Sequence, residues 1–403
     1  EVARFSVNRH RFPGVEITAR VSRYYPFAGV NSHALGYVGR INVEEIQKLD
    51  KRNYSGTSHI GKLGVEKYYE DILHGEVGYQ HIEINAQGRK LRILETVYPA
   101  PGADLILTID SRLQKIAQDS LGERSGSVVA MDPTSGEVLV FVSTPTFDPN
   151  LFVSGISNKQ FSLLRDNPDR PLFNRALTGQ YPPGSTIKPM LALAGLHYGV
   201  IWAEQTMYAG PFYQLAGHGR KYRDWKKNGH GKVDMYKAIT QSCDVYFYNL
   251  ANNLGIDRIS SFLAQFNLGT KTAVDTWGEA QGIMPSQKWK YDVYGQPWYP
   301  GETIITGIGQ GYMLATPLQL ATAASVLAMR GQSVQPRFLH AIRKEGDIEE
   351  VVGTTAVKTI NISHEHYWDQ IISAMVDAVH KPNGTAYGIG KDAKYKIAGK
   401  TGT

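Results

Sequence analysis

The sequence predicts an α+β fold, an antiparallel sheet flanked by helices, preceded by a smaller strand-rich N-terminal domain. Three observations lead there. Two apolar runs, Gly126–Met131 and Val138–Val142, flank the turn residues Asp132-Pro133-Thr134-Ser135-Gly136 and read as a hairpin. A helical middle follows, with apolar spacing over Thr186–Tyr198, Met235–Leu254, Ile256–Phe266, Pro317–Met329 and His366–His380. Last, Lys394–Lys400 alternates as a returning strand and runs into Thr401-Gly402-Thr403.

Residues 1–102 have a different texture, rich in Arg, Lys, Tyr and Gly and without long helical periodicity. Val15–Ala19 and His81–Ile84 alternate like half-exposed strands, and Gly64–Leu73 is spaced like a short amphipathic helix. Tyr98-Pro99-Ala100-Pro101-Gly102 marks the expected boundary, so that the second domain spans 103–403. Behind it, Asp104–Asp110 leads into a helix over Ser111–Leu121.

The 403 residues are 42% hydrophobic and 20% charged, the balance of an ordinary folded protein. Basic residues outnumber acidic ones by 43 to 37, and no Lys/Arg tract is dense enough to argue for nucleic acid. A single cysteine, Cys243, excludes an intramolecular disulfide. No apolar run approaches the roughly 20 residues of a membrane-spanning helix, and no signal peptide opens the chain.

The chemistry starts at Pro182-Pro183-Gly184-Ser185-Thr186-Ile187-Lys188. Pro and Gly break the chain just ahead of Ser185, and a helical pattern begins there. A serine at a helix start lies near the positive end of the dipole, which favours negative charge developing on its oxygen. Lys188, three residues on, falls on the same face one turn away. In a desolvated site its ammonium loses a proton more readily and can take the serine's. A serine in such a place is also commonly a helix cap, so the motif alone decides little.

Two more motifs decide it. Ser242-Cys243-Asp244 lies in the interior of a helical pattern, and Lys400-Thr401-Gly402-Thr403 closes the final strand. In this order, Ser-x-x-Lys, Ser-x-Asn/Asp and Lys-Thr/Ser-Gly resemble the set that defines penicillin-recognising serine enzymes. Gly307–Tyr312 with Ala315–Gln319 resembles a stretch of the high-molecular-weight penicillin-binding proteins. Gly61–Tyr69 resembles the pedestal signature of their class B subgroup. Tyr222–Lys227 with His230-Gly231 is similar to the elongation-specific group, penicillin-binding protein 2 of Gram-negative rods.

The resemblance covers nearly the whole chain and implies a transpeptidase fold on a non-catalytic pedestal. It implies a D,D-transpeptidase that cross-links peptidoglycan stem peptides through an acyl-enzyme on Ser185 and is the target of β-lactams. Lys188 would be the base, Ser242 a proton relay, and Asp244 part of the same motif. Lys400 would face the substrate carboxylate, with Thr401 or Thr403 hydrogen-bonding it and Gly402 letting substrate approach the strand. The N–H groups of Ser185 and Thr403 would form the oxyanion hole. Implied partners are a RodA-type glycan polymerase and MreC, on the periplasmic side of the inner membrane. An N-terminal anchor, and strands with a helix beyond Thr403, would be further parts of such a protein.

No cofactor is required for this chemistry. Asp224, His230 and Cys243 are donor types for a structural zinc, with His218 a nearby fourth candidate. Among rivals, a class A β-lactamase needs a Glu-x-x-Leu-Asn loop, and no such string occurs. A DD-carboxypeptidase, a penicillin-binding sensor and a scaffold of the same fold remain alternatives. His364-Glu365-His366 lacks the i, i+4 histidine pair of a metalloprotease, and there is no Gly-x-Ser-x-Gly elbow.

Overall fold

The computed structural model describes residues 2–12, 15, 21–344 and 348–403. The strand expected at Val15–Ala19 therefore lies, from residue 16 on, outside the described residues. In the N-terminal region β1 (Val38–Arg40) pairs antiparallel with β2 (His59–Gly61). The helix expected over Gly64–Leu73 is instead two short ones, α1 (Gly64–Tyr68) and α2 (Glu70–His74). They break at Tyr69, whose hydroxyl reaches away to Asp275 Oδ2 at 2.7 Å. β3 (Tyr79–Ile84) and β4 (Lys90–Val97) form a hairpin that includes the His81–Ile84 run.

β5 (Asp104–Leu107) leads into α3 (Ser111–Leu121), whose start is fixed by Asp110: its carboxylate accepts from the N–H groups of Arg112 and Leu113. The fully buried Gln114 of α3 ties the helix to the next hairpin, exchanging hydrogen bonds of 2.8 and 2.7 Å with both backbone groups of Phe141. That hairpin is β6 (Gly126–Met131) and β7 (Val138–Thr144), two residues longer than the alternation suggested.

The helical middle is built around α4 (Lys188–His197), in which every residue from Lys188 to Leu196 is buried. A helix apolar on all sides must be enclosed by others. Here α5 (Met235–Thr240), α6 (Asp244–Leu254), α7 (Ile256–Leu263) and α10 (His366–His380) surround it. Between them in sequence come α8 (Pro300–Thr306) and α9 (Pro317–Ala328), the latter capped by Thr316 and Gln319 in a reciprocal box. Four short strands, β8 (Met207–Ala209), β9 (Phe212–Gln214), β10 (Lys221–Arg223) and β11 (Gly231–Val233), pair as β9–β10 and β8–β11 in front of α5.

Two expectations fail here. The single helix predicted over Met235–Leu254 breaks between Thr240 and Asp244, with Ser242 at φ +55°, a left-handed backbone no helix interior contains. Lys394–Lys400 forms no strand: Lys394 and Tyr395 lie in a bend, and the segment has no ladder partner among the described residues. Strands β12 (Gln332–Val334), β13 (Leu339–Lys344), β14 (Ile348–Val351) and β15 (Ala356–Thr359) complete the fold. Each pair of strands runs antiparallel, and β13 sits between β14 and β5. The α+β reading holds, with the sheet divided into short ribbons.

Candidate active site

Ser185 lies in a tight 3-10 turn, Gly184–Ile187, that feeds directly into α4. Gly184 has φ +58°, and a Cβ there would lie 2.5 Å from the carbonyl oxygen of Thr403. Only glycine lets the nucleophile turn rest on the backbone of the third motif. Gly402 makes the reciprocal approach. A Cβ on it would meet Thr186 Cγ2 at 2.8 Å, so its smallness serves contact with the nucleophile turn.

Lys188 is fully buried, and its ammonium has three acceptors: Ser242 O at 2.9 Å, Ser242 Oγ at 3.2 Å and Asp244 Oδ1 at 2.7 Å. Burial pulls its pKa below the usual lysine range, while the Asp244 carboxylate works in the other direction. Lys400 donates to the same Ser242 Oγ at 2.8 Å and to Thr401 O at 2.9 Å. Desolvation, with the nearby Lys188 charge adding to it, brings Lys400 down to about 7, against the pull of Asp244. Two lysines thus converge on one hydroxyl oxygen, and both lone pairs of Ser242 are taken. Its own hydrogen is left to point elsewhere.

Asp244 opens α6, where the helix dipole favours a carboxylate, and its Oδ2 accepts from the Trp225 N–H at 3.2 Å. The Trp225 indole N–H bridges Gln241 O and Ser242 O, both at 3.1 Å. Thr401 Oγ1 donates to Thr385 Oγ1 at 2.9 Å, and Gln310 Nε2 reaches Thr403 O at 3.4 Å. Ser185, Ser242, Asp244, Thr401 and Thr403 line one cavity of about 610 Å³. The structure thus gathers residues 185, 188, 242, 244, 400, 401 and 403 from three remote stretches of chain.

Asp224, His230 and Cys243 form a second, fully internal cluster behind Ser242, with donor atoms within 4.8 Å of one another. His218 is exposed and outside it, so the fourth donor expected from sequence is not there. Neither ring nitrogen of the buried His230 has a hydrogen-bond partner, although Nδ1 lies 3.3 Å from Asp224 Oδ2. Burial raises the Cys243 thiol to about 12. An orphaned imidazole between a thiol and a carboxylate fits a zinc donor set.

Sequence reasoning passed over Thr385 and Tyr248, which also line the cavity. Neither stands in a motif, and no local signal marks them. Trp225 and Gln310 lay inside stretches noticed only for their resemblance.

Residues 126–403 match the family described as penicillin-binding protein transpeptidase domain, and residues 1–107 match the penicillin-binding protein dimerisation domain. The chain belongs to the penicillin-binding protein transpeptidases. It is 47% identical over 404 residues to the peptidoglycan D,D-transpeptidase MrdA of Acinetobacter baumannii, covering 100% of this chain and 59% of that relative. With MrdA of Escherichia coli K12 the identity is 42%, over 100% of this chain and 64% of the relative. The chain therefore spans about 60% of the length of these curated relatives. Among solved structures, Pseudomonas aeruginosa PBP2 in complex with WCK 5153 superposes with a TM-score of 0.87 at 45% identity, covering 96% of this chain and 81% of that one. PBP2 in its complex with MreC from Helicobacter pylori gives 0.89 at 34% identity, over 100% of this chain and 72% of that one.

Proposed function

We propose that this chain is the catalytic part of a class B, elongation-type D,D-transpeptidase that cross-links peptidoglycan stem peptides and is acylated by β-lactams at Ser185. The observation that carries the reading is the convergence of Lys188 and Lys400 on the Ser242 hydroxyl beside the cavity that Ser185 lines.

The reaction divides into two acyl transfers. Ser185 Oγ attacks the carbonyl of the penultimate D-Ala of a donor stem, and its proton passes to Lys188 in the neutral form that burial favours. The new C–O bond replaces the C–N bond to the terminal D-Ala. That amine leaves with a proton supplied through Ser242, whose hydrogen faces away from the two lysines. An amine of an acceptor stem then attacks the acyl carbon, gives its proton back along the same route, and releases Ser185. The N–H groups of Ser185 and Thr403 hold the oxyanion. Lys400, Thr401 and Thr403 receive the donor's carboxylate, and Asp244 fixes Lys188. Gly402 keeps the third motif against the nucleophile turn.

Asp224, His230 and Cys243 would hold a structural zinc, which contributes rigidity to the second motif and takes no part in acyl transfer. Protein purified without chelator is expected to carry about one zinc per chain, and Cys243→Ser to lose it together with several degrees of Tm. Metal analysis that finds none, with an unchanged Tm in the variant, removes the metal from this account.

The setting that fits is the periplasmic face of the inner membrane. The protein would work there with a RodA-type glycan polymerase and MreC in rod-shape maintenance, the N-terminal region 1–102 serving as pedestal. The solved PBP2–MreC complex supports this reading. Among the described residues no helix is long and apolar enough to cross a membrane.

The decisive experiment is intact-protein mass spectrometry after incubation with a penicillin, in parallel with Ser185→Ala. A stable adduct of one drug mass, absent from the variant, is expected. Intact drug without an adduct refutes the assignment, and drug consumed without an adduct turns it towards a β-lactamase.

A further inference from the structure

The chain's excess positive charge is not spread evenly. Five of the eight residues from Arg220 to Lys227 are basic, and the one carboxylate among them, Asp224, is buried and turned inward. It accepts from the N–H of Val245 at 3.1 Å and the Cys243 thiol at 3.4 Å. Among the described residues no ion pair involves any of the five cations.

Arg223 is the member of this run that reaches the catalytic cavity. It is exposed and lines the same cavity as Ser185, Ser242 and Tyr248. Its place is fixed on both sides. It ends β10, its carbonyl accepts from Tyr248 Oη at 3.3 Å, and the next two residues are anchored to the second motif through Asp224 and Trp225. The backbone is thus held while the side chain stays exposed at the cavity, where its guanidinium presents a planar fork suited to a carboxylate.

The terminal carboxylate of the donor is already matched by Lys400 and the threonines of the third motif. Arg223 is a further cation lining that cavity, with Arg220 and Lys226 close by in sequence, and among the described residues its guanidinium forms no ion pair with any carboxylate. We infer that Arg223 is a specificity-determining residue that binds a second carboxylate of the stem peptide, one carried on a side chain away from the scissile end. The inference rests on the transpeptidase reading and names which substrates that reaction selects. The surrounding positive strip draws an acidic peptide towards the cavity, and Arg223 sets its register there.

The test compares two synthetic peptides that end in D-Ala-D-Ala and differ only in a side-chain carboxylate, free in one and amidated in the other. The readout is the ratio of their kcat/KM values for D-Ala release, which is insensitive to the fraction of protein that is folded. Wild type is expected to prefer the free acid by about tenfold at low salt, with the preference shrinking as salt rises. Arg223→Gln brings the ratio to about one, Arg223→Glu inverts it, and Arg223→Lys keeps part of it. An unchanged ratio in Arg223→Gln, or no preference in wild type, overturns the inference. The penicillin adduct separates the two levels. Wild type that forms the adduct but shows no preference loses only this inference, whereas wild type that forms neither adduct nor product loses the transpeptidase reading with it.

Discussion

The helices around α4 and the hairpin β3–β4 spend their apolar residues in opposite ways. In the first region Ile187, Leu191, Ala192, Leu193 and Ala194 are wholly buried, and the chain places the titratable Lys188 among them. In the second, Ile84, Leu91 and Leu94 are all more than half exposed. Burial around α4 fixes the side chains that set the reactive geometry, and the low polarity there shifts a lysine towards its reactive form. The hairpin contributes little to stability and leaves apolar surface available. Burial is concentrated around the motif side chains, and the hairpin leaves its apolar side chains open.

Removing the charged member of the buried region gives the largest expected effect. Lys188→Ala should slow acylation by penicillin by at least about a thousandfold, since it takes away the base and leaves Asp244 without its ion pair. Stopped-flow acylation kinetics measure this, and a loss of less than tenfold would place the base elsewhere. Next comes packing. Leu193→Ala should cost about 2–5 kcal/mol in chemical denaturation, whereas Leu94→Ala in the hairpin should stay within about 0.5 kcal/mol. Equal costs would erase the contrast between the two regions. The smallest effect is a pH dependence. Lys400 is charged below about 7 and neutral above it. Its hold on a ligand carboxylate is therefore largely present at pH 6 and weakens by about tenfold or more at pH 8.5, where only a few per cent of the group is charged. Lys400→Arg, permanently charged, should remove that limb from the profile of penicillin acylation. A limb that persists in the arginine variant belongs to another group.

How much of this was legible depended on whether the signal was local. Ser111–Leu121 and His366–His380 appear as the apolar spacing requires, the first with its Asp110 cap. The break at residues 241–243 was invisible because Ile239, Cys243 and Val245 are all buried, so the apolar pattern runs on through the bend. What breaks the helix is a backbone turn at Ser242 held by partners more than fifty residues away. Lys394–Lys400 alternates as a strand should, but a strand also needs a neighbour, which one segment's pattern does not reveal. The three motifs were readable, as types of residue in order. That both lysines meet on one hydroxyl, and that Gly402 yields to Thr186, are facts of distance alone.

The left-handed backbone of Ser242 sets backbone ease against a shared hydroxyl at a single position. A non-glycine residue at φ +55° stores strain on the order of 1 kcal/mol, and Ser242→Gly would release it at the expense of the hydroxyl. The same change would strip a shared acceptor from Lys188 and Lys400, a loss of about 1–3 kcal/mol that offsets the relief. The strained serine is therefore held in place by the two charges that it joins, and a residue without a hydroxyl at this turn would leave both lysines to find other partners.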